Sequence, residues 1–117
     1  MKLLIIGSRG ISSFNPAPYV PSNVDIIVSE ASSAIGTAAR GYAKERGITF
    51  ISVDLCDYSG RGAENYYRGL VDYCDAILLV WDCQSEECPK IQEIANEKGV
   101  LCAHLIIPPP EGRVKFI

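Results

Sequence analysis

Four short segments of this chain carry residue types that contact small ligands, and each follows a run of apolar residues. Glycine, serine, arginine and carboxylate side chains recur in them. The segments are 7–10, 29–33, 54–59 and 82–88. In an open parallel sheet, ligands bind outside the carboxyl ends of the strands. If the apolar runs are strands of one such sheet, the four segments meet at one edge of it.

The first segment, Gly7-Ser8-Arg9-Gly10, has the composition of an anion-binding turn. Glycines allow backbone N–H groups to approach a ligand, a hydroxyl can donate, and an arginine can hold a phosphate or carboxylate with two hydrogen bonds. The alternative is an ordinary tight turn with a solvated arginine, because a short Gly-x-x-Gly is a weak signal.

The second segment runs from Ser29 to Ser33 and leads into a predicted helix. Ser32 or Ser33 has the side chain of an N-cap, and Glu30 lies near the positive end of the helix dipole. A helix N-terminus can bind an anion. The alternative is that a serine only caps the helix and no anion binds there, because the carboxylate of Glu30 already lies near the positive end of the helix dipole.

The most polar segment is 82–88. Asp82 follows an apolar run and could accept hydrogen bonds from ribose hydroxyls or bind a cation. Glu86 and Glu87 are predicted to lie in the first turn of a helix, where acidic side chains favour the dipole. Ser85 adds a hydroxyl to the same segment.

Cysteine and histidine are arranged too sparsely for a predicted metal site. Cys83 and Cys88 have C-x4-C spacing without a second pair, and His104 is the one histidine. Zinc sites need a fuller set of ligands, so we predict no metal and a structural role for the histidine. Cys83 near a helix start could be a nucleophile, but an inert thiol is the favoured interpretation. The sequence identifies no catalytic residue and no cofactor.

The elements that would hold these segments alternate along the chain. Mainly apolar runs predict strands covered on both faces at 2–6, 24–28, 49–53, 76–81 and 100–107. Helical spacing of apolar residues covers 35–43, 63–74 and 91–95, with Gly47 and Gly99 as stops and Pro89 in a first turn. The order predicts an α/β fold, a three-layer Rossmann-like sandwich with about five mainly parallel strands. Three prolines within 11–23 predict an irregular first connection. We expect one domain over 1–107 and a peripheral tail over 108–117.

Composition excludes several classes of function. The 117 residues contain 11 Lys+Arg and 14 Asp+Glu, a net charge of -3, which disfavours a nucleic-acid partner. No apolar stretch approaches the ~20 residues of a membrane span, and the N-terminus lacks the features of a signal peptide. Five cysteines without disulfide spacing predict reduced thiols in a cytoplasmic protein.

Several segments together resemble the SLOG superfamily, the Smf/DprA and LOG-like group of Rossmannoid domains, and most nearly its small bacterial YspA-like branch. The segments that carry the resemblance are 1–10, 19–21, 27–29, 42–48, 73–76 and 81–82. The resemblance extends over 1–107. It implies a Rossmann-like sheet that binds nucleotides or nucleotide-derived ligands. Some relatives are nucleotide phosphoribohydrolases, and others are DNA-processing or sensor domains.

Matches to the motifs of this superfamily are partial. Gly7, Ser8 and Arg9 match its first loop, Ser29 matches the serine of its Ser-Gly-Gly-Ala loop, and Asp82 and Ser85 match its Trp-Asp-Gly-x-Ser-x-Gly-Thr loop. The segment 30–32 reads Glu-Ala-Ser where the superfamily has Gly-Gly-Ala. Glu87-Cys88 replaces Gly-Thr, and Tyr66-Tyr67 replaces an Arg-Asn pair.

These replacements predict a site that is hostile to phosphate. Side chains block the backbone N–H groups that glycines would expose. A carboxylate ~4 Å from a phosphate charge costs about 4 kcal/mol at an effective dielectric near 20, roughly a thousandfold in affinity. We therefore expect a small-molecule ligand, nucleotide-related, with little or no catalysis. The predicted contacts are Gly7, Ser8, Arg9, Ser29, Glu30, Ser32, Asp82, Ser85 and Glu87.

Two other functions remain open. One is hydrolysis of a nucleoside N-glycosidic bond, in which Glu30, Asp82 or Glu87 would stabilise a cationic sugar. The other is a protein-interaction module that keeps the fold after losing the site. Tyrosines around the second predicted helix also leave a homodimer open.

Overall fold

A computed structural model gives the architecture of the chain. It describes residues 1–8, 10–30, 32–53, 61–82 and 87–107, and the backbone alone of 61–63 and 87. Strands and helices alternate after the first connection, as the apolar pattern predicts.

All five strands belong to one parallel sheet, in the order β3-β2-β1-β4-β5. The strands are β1 (Lys2–Gly7), β2 (Ile26–Glu30), β3 (Thr49–Val53), β4 (Ala76–Trp81) and β5 (Leu101–Ile106). The predicted α/β class and the Rossmann-like three-layer arrangement are confirmed. The predicted bounds of β3 and β4 are correct, whereas β2 begins and ends two residues later than predicted.

Three helices follow β2, β3 and β4. They are α1 (Ala34–Arg46), α2 (Arg61–Tyr73) and α3 (Glu87–Lys98). Ser33 caps α1, since its hydroxyl accepts from the Gly36 N–H at 2.9 Å. Gly47 ends α1 with φ 69°, a left-handed conformation that a side chain would strain.

The sheet buries a separate apolar layer on each face. Leu3, Ile5 and Ile27 pack with Ile35 and Ala39 of α1 on one face. Alternate strand residues face the other side and pack against α2 and α3. That layer includes Leu4, Ile6, Val28, Ile77, Leu79, Val71, Ile91 and Ile94. This two-sided burial explains why the three central strands, β2, β1 and β4, have apolar residues on both faces rather than on alternate positions. The prediction of burial was wrong for the edge strands β3 and β5, in which no residue is fully buried because each pairs with one neighbouring strand.

The first connection, between β1 and β2, is irregular as predicted. Its described part, 10–25, holds one short 3₁₀ turn, Ala17–Tyr19, and no α-helix. Ile11 and Val24 anchor it in the apolar layer under α1. In its described part the connection after β1 therefore contains no α-helix, unlike the connections after β2, β3 and β4.

Within the five described stretches, the longest helices have 13 residues, and none combines the length and apolar character needed to cross a bilayer.

Candidate functional site

The strand order places a topological switch point between β1 and β4. From β1 the chain crosses to β2 over the α1 face, and from β4 it crosses to β5 through α3 on the opposite face. Neighbouring strands whose connections leave toward opposite faces open a crevice at their carboxyl ends, where ligands of such folds bind. The segments that follow β1 and β4 therefore form the candidate site.

Gly7 lets β1 and β4 lie in close contact at this edge. It pairs with Val80, and a Cβ atom at Gly7 would lie 2.0 Å from the Val80 carbonyl oxygen. Ser8 continues the pairing by donating its N–H to the same oxygen at 2.9 Å. No side chain fits between the strands at this point, so the glycine is required for packing, whatever it contributes to a ligand.

The hydroxyl of Ser8 joins the ends of both strands. Its Oγ accepts a hydrogen bond from the Asp82 N–H at 3.1 Å, and it lies 3.7 Å from the Cys88 Sγ at the start of α3. Ser8 is 1% exposed. Its hydroxyl therefore fixes the β1 end against the β4 end and against α3.

The carboxylate of Asp82 faces the segment that follows β1. Its Oδ2 lies 2.9 Å from the position that a Cβ atom would take at Gly10. Asp82 is 8% exposed. The absence of a side chain at Gly10 gives the carboxylate its place in the crevice.

Ser29 and Glu30 belong to β2 rather than to the loop that the sequence predicted. The Ser29 hydroxyl donates to the Ile5 carbonyl at 2.5 Å, and Glu30 pairs with Val53 as the last residue of the strand. Glu30 is 5% exposed. Its carbonyl accepts from both the N–H and the hydroxyl of Ser33, at 3.1 and 2.9 Å. The start of α1 thus holds the end of β2 in place.

The predicted site residues are brought together only in part. Gly7, Ser8 and Asp82 meet at the switch point, and Ser29 and Glu30 lie on the adjoining strand. Ser32 is exposed, and Ser33 rather than Ser32 is the N-cap of α1. Arg9, Ser85 and the segment 54–59 lie outside the described residues, as does the side chain of Glu87, whose backbone begins α3.

Two contributors were not among the predicted contacts. Cys88 is 1% exposed beside Ser8, and its Sγ lies 3.9 Å from the Val80 carbonyl. Gly10 makes room for Asp82. Cys88 is the second residue of a helix that starts after a strand, a place from which a side chain can reach the crevice. The position of Cys88 at the start of this helix was therefore the sequence signal that could have placed it near the site.

The buried polar and charged side chains of the described residues all lie at this edge of the sheet. Among the described residues, the buried polar or charged ones are Ser8, Ser29, Glu30 and Asp82. All four lie in the last two positions of a central strand or directly after it, and two of them carry carboxylates. No described lysine or arginine is buried. An arrangement of this kind accepts hydrogen bonds from hydroxyl, amino or cationic groups.

The described residues contain no group of three or more histidine, cysteine or acidic side chains that could hold a metal. His104 lies on β5, exposed, with its Nε2 beside Gln92 Oε1. Burial raises the pKa of Cys74 from 9.0 to about 11, and burial with the nearby Cys88 raises that of Cys102 to about 11. These thiols are held in the protonated form at neutral pH.

The tyrosines of α2 contribute mainly to packing of the apolar core. Tyr67 is 5% exposed, and its ring meets that of Tyr66 edge-on at 5.5 Å. Tyr73 is half-exposed with the Lys2 ammonium 4.2 Å from its ring centroid. Core packing, the commoner use of such tyrosines, accounts for Tyr67.

Two surface grooves lie apart from the switch point. One, of about 540 Å³, separates the first connection from α1 and is lined by Phe14, Pro16 and Tyr42 among others. The other, of about 430 Å³, lies between the same connection and β5, where Tyr19 and Ile106 contribute. Neither is lined by a residue of the predicted site.

A scan against models of protein families gives no match, and no curated protein shows significant similarity to this chain.

Proposed function

We propose that this protein binds a nucleotide-derived or related small ligand in the crevice between the ends of β1 and β4, with little or no catalysis. One observation carries the proposal. The four described buried polar residues, Ser8, Ser29, Glu30 and Asp82, gather at the carboxyl ends of the three central strands. Burying a polar side chain costs free energy that packing alone does not repay. Ser8 and Ser29 bond to the protein itself, and the two carboxylates have acceptor capacity beyond any single partner, so their place at the ligand-binding edge of this fold supports a recognition role.

The resemblance to the SLOG superfamily agrees with this proposal in its fold and in the edge of the sheet that it assigns to ligands. Membership in the superfamily remains part of the proposal. So does a cytoplasmic location, and the proposal leaves a homodimer open.

A thermal-shift screen of nucleosides, nucleotides and sugars tests the function. Asp82→Asn removes the crevice carboxylate with little change of volume. Asp72→Asn is the matched control, because Asp72 is an exposed acid of α2 paired with Lys98. We expect at least one compound to raise the melting temperature of the wild type and of the control, with a smaller shift for Asp82→Asn. A shift that is equal in all three proteins would place binding elsewhere.

Hydrolysis of a nucleoside N-glycosidic bond is the second candidate, because two carboxylates, Glu30 and Asp82, are buried at the same edge. A carboxylate there could stabilise a cationic sugar in the transition state. Release of free base by the wild type that is lost in both Asp82→Asn and Glu30→Gln would favour the enzyme. Binding without turnover across the panel would favour the first proposal.

A further inference from the structure

The carboxylate at the end of β2 identifies the part of a ligand that the crevice recognises, if the proposed function holds. Glu30 is the last residue of β2 and comes twenty positions after Gly10. In open α/β folds that bind nucleotides, an acidic residue about twenty positions after the first glycine-rich turn accepts hydrogen bonds from the ribose hydroxyls. Glu30 has that position in both the sequence and the sheet.

The place that would hold a phosphate in such folds is built differently. Phosphate usually binds at the N-terminus of the helix that follows β1, where backbone N–H groups and the dipole favour an anion. In this chain the described part of that connection, 10–25, contains no α-helix. The crevice instead receives the Asp82 carboxylate beside Gly10.

The charges at this edge of the sheet also favour a sugar over a phosphate. Glu30 and Asp82 are both more than nine-tenths buried, and every described lysine or arginine is at least partly exposed. A phosphate entering the crevice would meet the Asp82 carboxylate beside Gly10, in a region of low dielectric where repulsion is strong. A sugar diol would instead donate its hydroxyl protons to a carboxylate at this edge.

We infer that the crevice binds the ribose of an unphosphorylated nucleoside, with Glu30 accepting hydrogen bonds from the 2′- and 3′-hydroxyls. Asp82 lies where a 5′-substituent would approach the end of β1 and disfavours a phosphate there. The ligand class is thus a ribonucleoside rather than a nucleotide.

Titration calorimetry with adenosine, guanosine, cytidine and uridine, their 5′-monophosphates and their 2′,3′-dideoxy forms tests this inference. For the base that binds, we expect the ribonucleoside to bind at least about tenfold more tightly than its monophosphate. The dideoxy form should lose about tenfold or more, the typical value of a hydrogen bond to a charged group. Both comparisons use the wild-type protein, so neither depends on a variant that folds.

The variant Glu30→Gln then assigns the contact. It should weaken binding of the ribonucleoside and of its monophosphate alike, by about tenfold, because both carry the 2′- and 3′-hydroxyls, whereas Glu45→Gln, at an exposed acid of α1, should change neither affinity. A monophosphate that binds more tightly than its nucleoside, with affinity that depends on Asp82, overturns the inference and leaves the proposed function standing. Failure of every nucleoside and nucleotide to bind overturns the inference, and the sugars of the thermal-shift screen then decide the proposed function separately.

Discussion

Replacing Gly7 with alanine tests whether close contact between β1 and β4 builds the crevice. The new Cβ atom would lie 2.0 Å from the Val80 carbonyl oxygen and 2.9 Å from Ile35 Cδ1. Carbon atoms of this kind do not approach an oxygen closer than about 3 Å, so the strands must separate by roughly 1 Å at this point. The neighbouring bond from the Ser8 N–H to Val80, at 2.9 Å, would stretch out of hydrogen-bonding range.

The cost has two parts. A buried backbone donor and acceptor left without each other cost about 1–3 kcal/mol. Overpacking against Ile35, which is 1% exposed, costs about 1–3 kcal/mol more. We therefore expect Gly7→Ala to lower the free energy of unfolding by about 2–6 kcal/mol, a large share of the stability of a typical domain.

Urea unfolding followed by far-UV circular dichroism measures this loss. Gly41→Ala is the control, because Gly41 lies inside α1 and, apart from its chain neighbours and the backbone of its own helix, no atom lies within 4 Å of the position for a Cβ. Alanine there should raise the free energy of unfolding by up to about 1 kcal/mol. If Gly7→Ala remains within about 1 kcal/mol of the wild type at an unchanged m-value, the strands separate easily and the account of the edge is wrong.

Three further changes address the site and its surroundings. Ser8→Ala removes the acceptor of the Asp82 N–H and should cost about 1–3 kcal/mol in urea unfolding, with Ser8→Thr losing less if the hydroxyl keeps its place. Gly10→Ala displaces the Asp82 carboxylate by a few tenths of an ångström, so calorimetry should show weaker ligand binding while the free energy of unfolding changes by less than about 1 kcal/mol. Cys74 and Cys102 keep their protons in the folded state up to about pH 11, whereas the unfolded thiols ionise near 9.0, so stability should fall as pH rises from 9 toward 11. Urea midpoints across that range should fall less steeply for the double alanine variant of the two cysteines.

The fold was predictable because the three central strands, β2, β1 and β4, are buried on both faces. A buried strand of a parallel sheet has an unbroken apolar run, and glycine or a turn then ends the helix that follows. The end of β2 was predicted incorrectly because Ser29 and Glu30 are polar and resemble a loop. Contacts distant in sequence keep them in the strand: Ser29 donates to Ile5, and Glu30 pairs with Val53.

The edge that carries the site was also predictable, but its internal connections were not. Strand ends meet at one edge by the rule for parallel sheets, so Ser8 and Asp82 could be assigned to the same region. The bond between them joins residues 74 positions apart, and the contact of Ser8 with Cys88 spans 80 positions. The spacing of residues within one segment carries no information about contacts between segments that are distant in sequence. For that reason the sequence suggested a ligand contact at Ser8, where the structure shows a hydroxyl engaged with the protein itself.

This difference divides the edge into supporting and recognising groups. Gly7, Ser8 and Ser29 hold the strands together through backbone partners, and Ser8 and Ser29 are each 1% exposed. Asp82 and Glu30 bring charge to the same edge, where a carboxylate has acceptor capacity beyond any single partner. Variants of the first group should therefore lose stability and binding together, whereas isosteric amide variants of the second should lose binding with smaller changes in stability. A set of variants in which both groups lose stability and binding in constant proportion would mean that the edge is structural throughout, and that the ligand site lies elsewhere.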